Sequence, residues 1–170
     1  MELLTIGHSN HSPERFVKLL EDALIDEIVD VRSTPYSQWA PFANSKNLEK
    51  LLASLEIHYL YLGGFLGGHI PDLQGNRKSD RLKAYEEIRE TPTFKDGINK
   101  LIDEMERRRV CILCAEEDPE SCHRRLLVGK SIIGHGINVI HLRGDGSRQS
   151  EEELWKEQHH INKNQIGLPL

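Results

Sequence analysis

Short apolar runs alternate with amphipathic segments along most of this chain. The runs, each long enough for one strand, cover residues 3–6, 27–31, 57–62, 110–113 and 137–142. The segments between them carry apolar residues at helical spacing, and three begin with a helix-start pair: Ser12-Pro13, Thr91-Pro92 and Asp118-Pro119. Strands that alternate with helices pair in parallel through right-handed crossovers. The pattern predicts a three-layer α/β fold: a mostly parallel sheet of about five strands with helices on both faces.

Length and charge limit the possible classes of protein. At 170 residues the chain is predicted to form one α/β domain over residues 1–170, with a C-terminal helical segment at about 149–163. The net charge of −5 argues against general nucleic-acid binding, and no apolar window is long enough for a membrane span. No signal peptide is evident, and three cysteines cannot all pair internally. We therefore expect a cytoplasmic protein with free thiols and no membrane partner.

Polar residues follow four of the predicted strands. The candidates at or just after the strand ends are Thr5, His8 and Ser9 for the first, Asp30 and Arg32 for the second, Gly63 and Gly64 for the third, and Glu116 with Cys122-His123-Arg124 for the fourth. Ligand sites in parallel sheets form outside the carboxyl ends of the strands. The sequence therefore predicts one site assembled from four loops. Two long loops, at residues 33–45 and 63–81, are predicted to lie on the same rim and bind substrate or cover the site.

The residue types at this rim suit an anionic ligand. Arg32 and Arg124 can bind an oxyanion through charge-assisted hydrogen bonds, with Thr5, Ser9, Gly63, Gly64 and His123 as further ligand-binding candidates. His8 and Glu116 could transfer protons, Asp30 could orient a partner, and Cys122 could act as a nucleophile. Each has a plainer alternative: Asp30 and Arg32 could form a local ion pair, and His8 could brace a turn. No P-loop or dinucleotide-binding glycine pattern is present.

The cysteines leave several interpretations open. Cys122 is beside His123 and Arg124 at an expected helix start, which favours its thiolate, and we expect it to be the most function-sensitive cysteine. It also shares a predicted helical stripe with Leu126, Gly129 and Ile133, which favours packing instead. Cys111 and Cys114 lie three apart in one strand and therefore point to opposite faces.

A metal site is the third interpretation of these thiols. Cys114, Cys122, His123 and His8 could form a zinc site, although their spacing matches no strong zinc pattern. No metal ligand is therefore assigned from the sequence, and the cofactor stays unknown.

Taken together, these motifs resemble a known family. Thr5-Ile6-Gly7-His8-Ser9, Asp30-Val31-Arg32 with Pro35, Leu62-Gly63-Gly64, and Cys114-Ala115-Glu116 with Pro119 and Cys122-His123-Arg124 are similar to motifs of the domain-of-unknown-function 488 family. The resemblance covers about residues 3–142. It implies a small prokaryotic α/β domain and brings no established reaction.

Three functions remain open at this stage. The first is an enzyme acting on a phosphate-bearing ligand, either a nucleotide or a nucleic-acid end. The second is a module that binds or senses a small anion or nucleotide without converting it. The third is a thiol-based redox protein or a zinc protein. The sequence does not determine the oligomeric state.

Overall fold

A computed structural model describes residues 1–70 and 78–157. Five strands are parallel, and a sixth pairs antiparallel with the fifth: β1 Glu2–Gly7, β2 Glu27–Asp30, β3 His58–Tyr61, β4 Val110–Cys114, β5 Asn138–Leu142 and β6 Arg148–Ser150. The strand order is β3-β2-β4-β1-β5-β6. The predicted α/β class with a mostly parallel sheet is confirmed. The three-residue edge strand β6 was missed, because so short a polar segment carries no strand pattern.

Helices connect the strands and cover the sheet. The α-helices are α1 Pro13–Asp22, α2 Ser45–Ala53, α3 Gly63–Leu66, α4 Lys78–Glu90, α5 Pro92–Met105, α6 Lys130–Gly134 and α7 at residues 151–157. Two 3₁₀ turns occur at Pro41–Ala43 and Pro119–Ser121, and a π-helical segment, Arg124–Gly129, leads into α6. The part of the predicted C-terminal helix after residue 157 lies outside the described residues. Among the described residues, no helix is both long and apolar enough to cross a membrane.

Two of the predicted helix starts are observed as such. The Ser12 side chain accepts a hydrogen bond from the backbone N–H of Arg15, and the Thr91 side chain accepts one from Phe94. A proline follows each cap at the first helical position, where its missing N–H costs nothing. Local chemistry therefore determines where α1 and α5 begin.

The two faces of the sheet bury separate apolar cores. On one face, Leu4, Ile6 and Leu113 pack with Phe16 of α1 and Leu52 of α2. The opposite core is built from the alternate strand residues and the later helices; its members include Leu3, Val29, Ile112, Leu66, Phe94, Leu101 and Leu127. Period-two alternation along β1 and β4 thus supplies both cores.

The chain after Pro119 departs from the predicted continuous helix. Asp118 does cap the first turn, accepting from the N–H of Glu120, but the turn stops and Cys122 has an extended backbone. The helix that follows is π-helical, with a wider turn than an α-helix. The predicted stripe of Cys122, Leu126, Gly129 and Ile133 is therefore wrong. Ile133 is 43% exposed, and the buried side chains of this segment include Arg124, Leu127 and Val128.

The pairing register places the carboxyl ends of four strands side by side. Gly7 of β1 pairs with Cys114 of β4, and Asp30 of β2 pairs with Leu113 of β4 and Tyr61 of β3. Because β1 to β4 are parallel, the loops that follow them leave the sheet at one rim.

Candidate functional site

Hydrogen bonds join three of the four loops at this rim. His8 N donates to Cys114 O over 3.0 Å, and Ser9 N donates to Ala115 O over 2.8 Å. The ring of His123 donates through Nε2 to the Val31 carbonyl over 2.9 Å. The loops after β1, β2 and β4 are thus joined directly.

Two glycines in the loop after β3, Gly67 and Gly68, allow this fourth loop to pack against the other loops. A methyl group on Gly68 would lie 2.5 Å from the His123 ring, and one on Gly67 would lie 2.4 Å from Ser33 Oγ. Ser33 Oγ also accepts a hydrogen bond from His69 N. The loop therefore closes over His123 only because these positions lack a Cβ.

Two sulfurs and one imidazole form the centre of the site. Cys114 Sγ is 3.1 Å from Cys122 Sγ and 3.4 Å from His123 Nδ1, and the three ligand atoms lie within 4.8 Å of one another. Both cysteines are buried, whereas His123 is half-buried. Val31 O can only accept, so Nε2 of His123 carries a proton and Nδ1 faces the sulfurs.

The two thiols have opposite electrostatic tendencies. The hydrogen bond from the Cys122 thiol, followed by the contact with His123, holds the pKa of Cys114 well below its usual value in spite of burial. The same hydrogen bond, together with burial, raises the pKa of Cys122. Although burial alone lowers it, the pKa of His123 is raised by its contact with Cys114. This direction opposes the expected thiolate at Cys122, because the imidazole contacts Cys114 instead; that Cys122 is the most function-sensitive cysteine stays a prediction.

Asp30 and Arg32 form a buried, two-point ion pair beside this centre. Arg32 Nε donates to Oδ1 over 2.9 Å and Nη2 donates to Oδ2 over 2.6 Å, while Tyr59 Oη also donates to Oδ2. Nη2 further donates to the carbonyl of Ala43. Nη1 of Arg32 is buried and has no hydrogen-bond partner among the residues that the structure describes. The ion pair thus holds Arg32 in place, while its Nη1 group makes no hydrogen bond to the described residues.

His8 has a similarly unused nitrogen. Its Nδ1 donates to Ser9 O over 2.8 Å, so Nε2 carries the lone pair of the neutral ring. Within the described part of the chain, the buried Nε2 has no hydrogen-bond partner. Burial lowers the pKa of His8, and the charge of Arg32 lowers it further, although Ser9 O, Cys114 and Asp30 oppose this. The neutral ring therefore presents a hydrogen-bond acceptor inside the rim.

The geometry argues against anion binding by Arg124. Its side chain is fully buried, donating through Nε to Thr5 Oγ1 and through Nη1 and Nη2 to the carbonyls of Glu116 and Glu117. Thr5 in turn contacts His141 Nδ1 at 2.7 Å. Arg124 and Thr5 therefore position the backbone after β4, although both were predicted to bind ligand.

The remaining predicted residues border the centre. Glu116 is exposed, and its carbonyl lies so close to Gly7 that a methyl group there would be 1.8 Å away. Ser9 has a positive φ of 46° and donates to Asn10 Oδ1. Gly63 is buried against the Arg32 carbonyl, and Gly64 is exposed with open space around it. Roles in catalysis or ligand binding for these residues stay predictions.

Sequence reasoning missed two contributors to the site. Tyr59 was assigned only to a strand, although its hydroxyl binds Asp30, and the Val31 carbonyl sets the His123 tautomer. Alternation in β3 could have placed Tyr59 on one face of the sheet, but not against a residue of β2. No sequence signal marks a backbone carbonyl as a hydrogen-bond partner.

Comparison with known proteins identifies a family. The family model described as "Domain of unknown function DUF488" matches residues 12–130, well over half of the chain, so the chain belongs to this family. The match contains Asp30, Arg32, Cys114, Cys122 and His123 and begins after His8. No curated protein and no solved structure matches significantly.

Proposed function

We propose that this DUF488 protein is an enzyme acting on a phosphate-bearing ligand, a nucleotide or a nucleic-acid end. The observation that carries the proposal is a pair of buried nitrogens, Arg32 Nη1 after β2 and His8 Nε2 after β1, which have no hydrogen-bond partner among the described residues and follow the two strands that flank β4. Buried polar atoms without a partner are rare and favour a missing ligand or water. One nitrogen is a charged donor and the other is a neutral acceptor, so the site suits an anion next to a proton-bearing oxygen.

Each nitrogen has a specific role in this proposal. Arg32 Nη1 donates to a phosphate oxygen, and Asp30 holds the guanidinium so that little side-chain entropy is lost on binding. His8 Nε2 accepts the proton of an attacking water or hydroxyl group, as a general base must. The attacking oxygen forms a new bond to phosphorus while the ester P–O bond breaks, and the alcohol that leaves takes a proton from solvent; the reaction class is hydrolysis or transfer at the anionic end.

Burial limits which part of the ligand reaches these groups. His8 is 2% exposed and Arg32 is 4% exposed. Only a small anionic group can contact both, so a nucleotide or nucleic-acid end would insert its phosphate and leave the remainder outside. In the neighbouring centre of Cys114, Cys122 and His123, the half-buried His123 ring is the most exposed of the three side chains.

Phosphate titration of the reduced full-length protein tests the binding step. Arg32→Lys keeps the charge but loses the fixed Nη1 donor, so the affinity for inorganic phosphate should fall about 10-fold or more, as for a lost charge-assisted bond of about 1.5–3 kcal/mol. Arg109→Lys is the matched control, because Arg109 precedes β4 and therefore lies at the amino ends of the strands, on the rim opposite the site. Unchanged affinity in folded Arg32→Lys protein would refute the assignment.

A turnover assay distinguishes an enzyme from a module that only binds the ligand. Phosphomonoesters of nucleosides and of short oligonucleotides serve as substrates, with released phosphate as the readout. His8→Gln should abolish turnover while phosphate still binds. If wild-type protein binds phosphate and converts none of these esters, the site functions as a binding module and the enzymatic proposal is wrong.

A further inference from the structure

We propose that Cys114, Cys122 and His123 form a binding site for one divalent transition-metal ion of the zinc type. This inference goes beyond the proposed function, because it holds whether or not an anion binds at His8 and Arg32. It concerns side chains that the anion proposal leaves without a chemical role.

The donor atoms are of the right kind and almost at the right separation. Zinc binds thiolate sulfur at about 2.3 Å and imidazole nitrogen at about 2.0 Å, which places ligand atoms about 3.5 to 3.8 Å apart in a tetrahedron. The observed separations are 3.1 Å between the two sulfurs and 3.4 Å from Cys114 Sγ to His123 Nδ1. These two separations need to widen by only a few tenths of an ångström, and the third pair, Cys122 Sγ and His123 Nδ1, lies within 4.8 Å.

The His123 ring is oriented as a metal ligand requires. Its Nε2–H donates to Val31 O, which directs the other nitrogen toward the sulfurs. Ligating histidines usually donate their second ring N–H to a carboxylate or a backbone carbonyl, which sets the tautomer and the ring orientation. Gly68 packs against the same ring and restricts its rotation.

Charge balance also favours a divalent ion. Binding of the ion would release the proton of the Cys122 thiol, and the cation would then compensate two buried thiolates that would be costly without a counter-charge. Two thiolates, one neutral imidazole and one divalent cation together carry no net charge. Three protein ligands leave the fourth tetrahedral position for water or an oxygen of a bound ligand, which is the arrangement of catalytic zinc sites.

Cys111 provides an internal control. It lies three residues before Cys114 in β4, points to the opposite face and packs in the core with Leu4 and Leu113. It belongs to the same strand and is fully buried, yet it is not part of the cluster. A cysteine-to-serine change at this position should therefore leave metal binding unaltered.

The test is a cobalt(II) titration of reduced, chelator-treated full-length protein, with zinc displacement afterwards. We expect one cobalt per chain, a thiolate-to-cobalt charge-transfer band and the intense visible bands of a four-coordinate ion. Cys114→Ser, Cys122→Ser and His123→Gln should each weaken binding about 100-fold or more, since even outer-shell changes cost about 10- to 100-fold. Cys111→Ser should bind as the wild type does.

A second measurement uses only the wild-type protein and therefore does not depend on whether the variants fold. In the wild-type protein, zinc should protect Cys114 and Cys122 from alkylation, with modified positions mapped by mass spectrometry. Absence of stoichiometric cobalt or zinc binding in reduced, folded wild-type protein overturns the inference, and so does a Cys114–Cys122 disulfide without metal affinity. Arg32→Lys should retain metal binding while losing phosphate affinity, so either proposal can fail without the other.

Discussion

Breaking the buried ion pair at the end of β2 should destabilise this protein strongly. Asp30 is fully buried and accepts four hydrogen bonds, from Arg32 N, Nε and Nη2 and from Tyr59 Oη. Asp30→Asn keeps the shape but removes the charge, which leaves the Arg32 guanidinium buried without its counter-charge. Such losses cost about 3–5 kcal/mol of unfolding free energy. For a chain of this size, that corresponds to a fall in Tm of about 6 to 20 °C.

Urea denaturation followed by circular dichroism measures this cost. Asp22→Asn is the control, because Asp22 pairs with Lys18 on the surface at 3.1 Å, with both side chains more than half exposed. Exposed pairs contribute about 0–1 kcal/mol, so this control should unfold almost as the wild type does.

A double-mutant cycle isolates the pair itself. Arg32→Met alone leaves the Asp30 carboxylate unpaired, whereas Asp30→Asn with Arg32→Met leaves no buried charge. We expect the loss of unfolding free energy in the double variant to be about 1–3 kcal/mol smaller than the sum of the losses in the two single variants. Single losses below about 1 kcal/mol, or strictly additive losses, would refute the argument that Asp30 compensates a buried charge.

Two further changes test the residues behind the site. Burial is the main cause of the lowered pKa of His141, against the opposing contact with Glu151. The unfolded chain therefore binds a proton at this ring below about pH 6.5 while the folded protein resists it. The unfolding free energy should therefore fall as the pH drops through this range, and His141→Gln should make that fall smaller. Urea denaturation midpoints at about pH 7 and pH 5.5 measure the difference. An equal fall in wild type and variant would contradict this assignment. Arg124→Lys cannot reach both the Glu116 and Glu117 carbonyls and Thr5, so it should cost about 1.5–3 kcal/mol of stability while phosphate affinity stays unchanged. A folded variant of wild-type stability with weakened phosphate binding would instead show that Arg124 contacts the ligand.

Much of the fold could be predicted because its signals are local. Apolar runs of four to six residues predicted the five parallel strands, and the pairs Ser12-Pro13 and Thr91-Pro92 marked the beginnings of α1 and α5. A cap and a proline act within one helical turn, and strand alternation acts within a few residues. These features depend little on what the rest of the chain does.

The helix after β4 shows where local reasoning failed. The segment after Pro119 has a cap, a proline and apolar residues at helical spacing, yet the chain breaks at Cys122 and continues as a π-helix. Burial of Arg124 and its bonds to three partners favour this path over a regular helix. One of these partners, Thr5, is 119 positions away, and the carbonyls of Glu116 and Glu117 belong to the loop before the segment, so no pattern within a short window marks these contacts.

By itself, the sequence determined that polar groups would follow the strands and that a parallel sheet would carry them to one rim. Only the tertiary structure decided which of them meet. The order β3-β2-β4-β1 puts β4 between β2 and β1, so Cys114 lies between the loops that carry Arg32 and His8. The loop after β4 then returns Cys122 and His123 to Cys114, and Arg124 turns inward. The physical reason is that strand order and register are set by burial of both sheet faces across the whole chain, whereas residue spacing acts only along it.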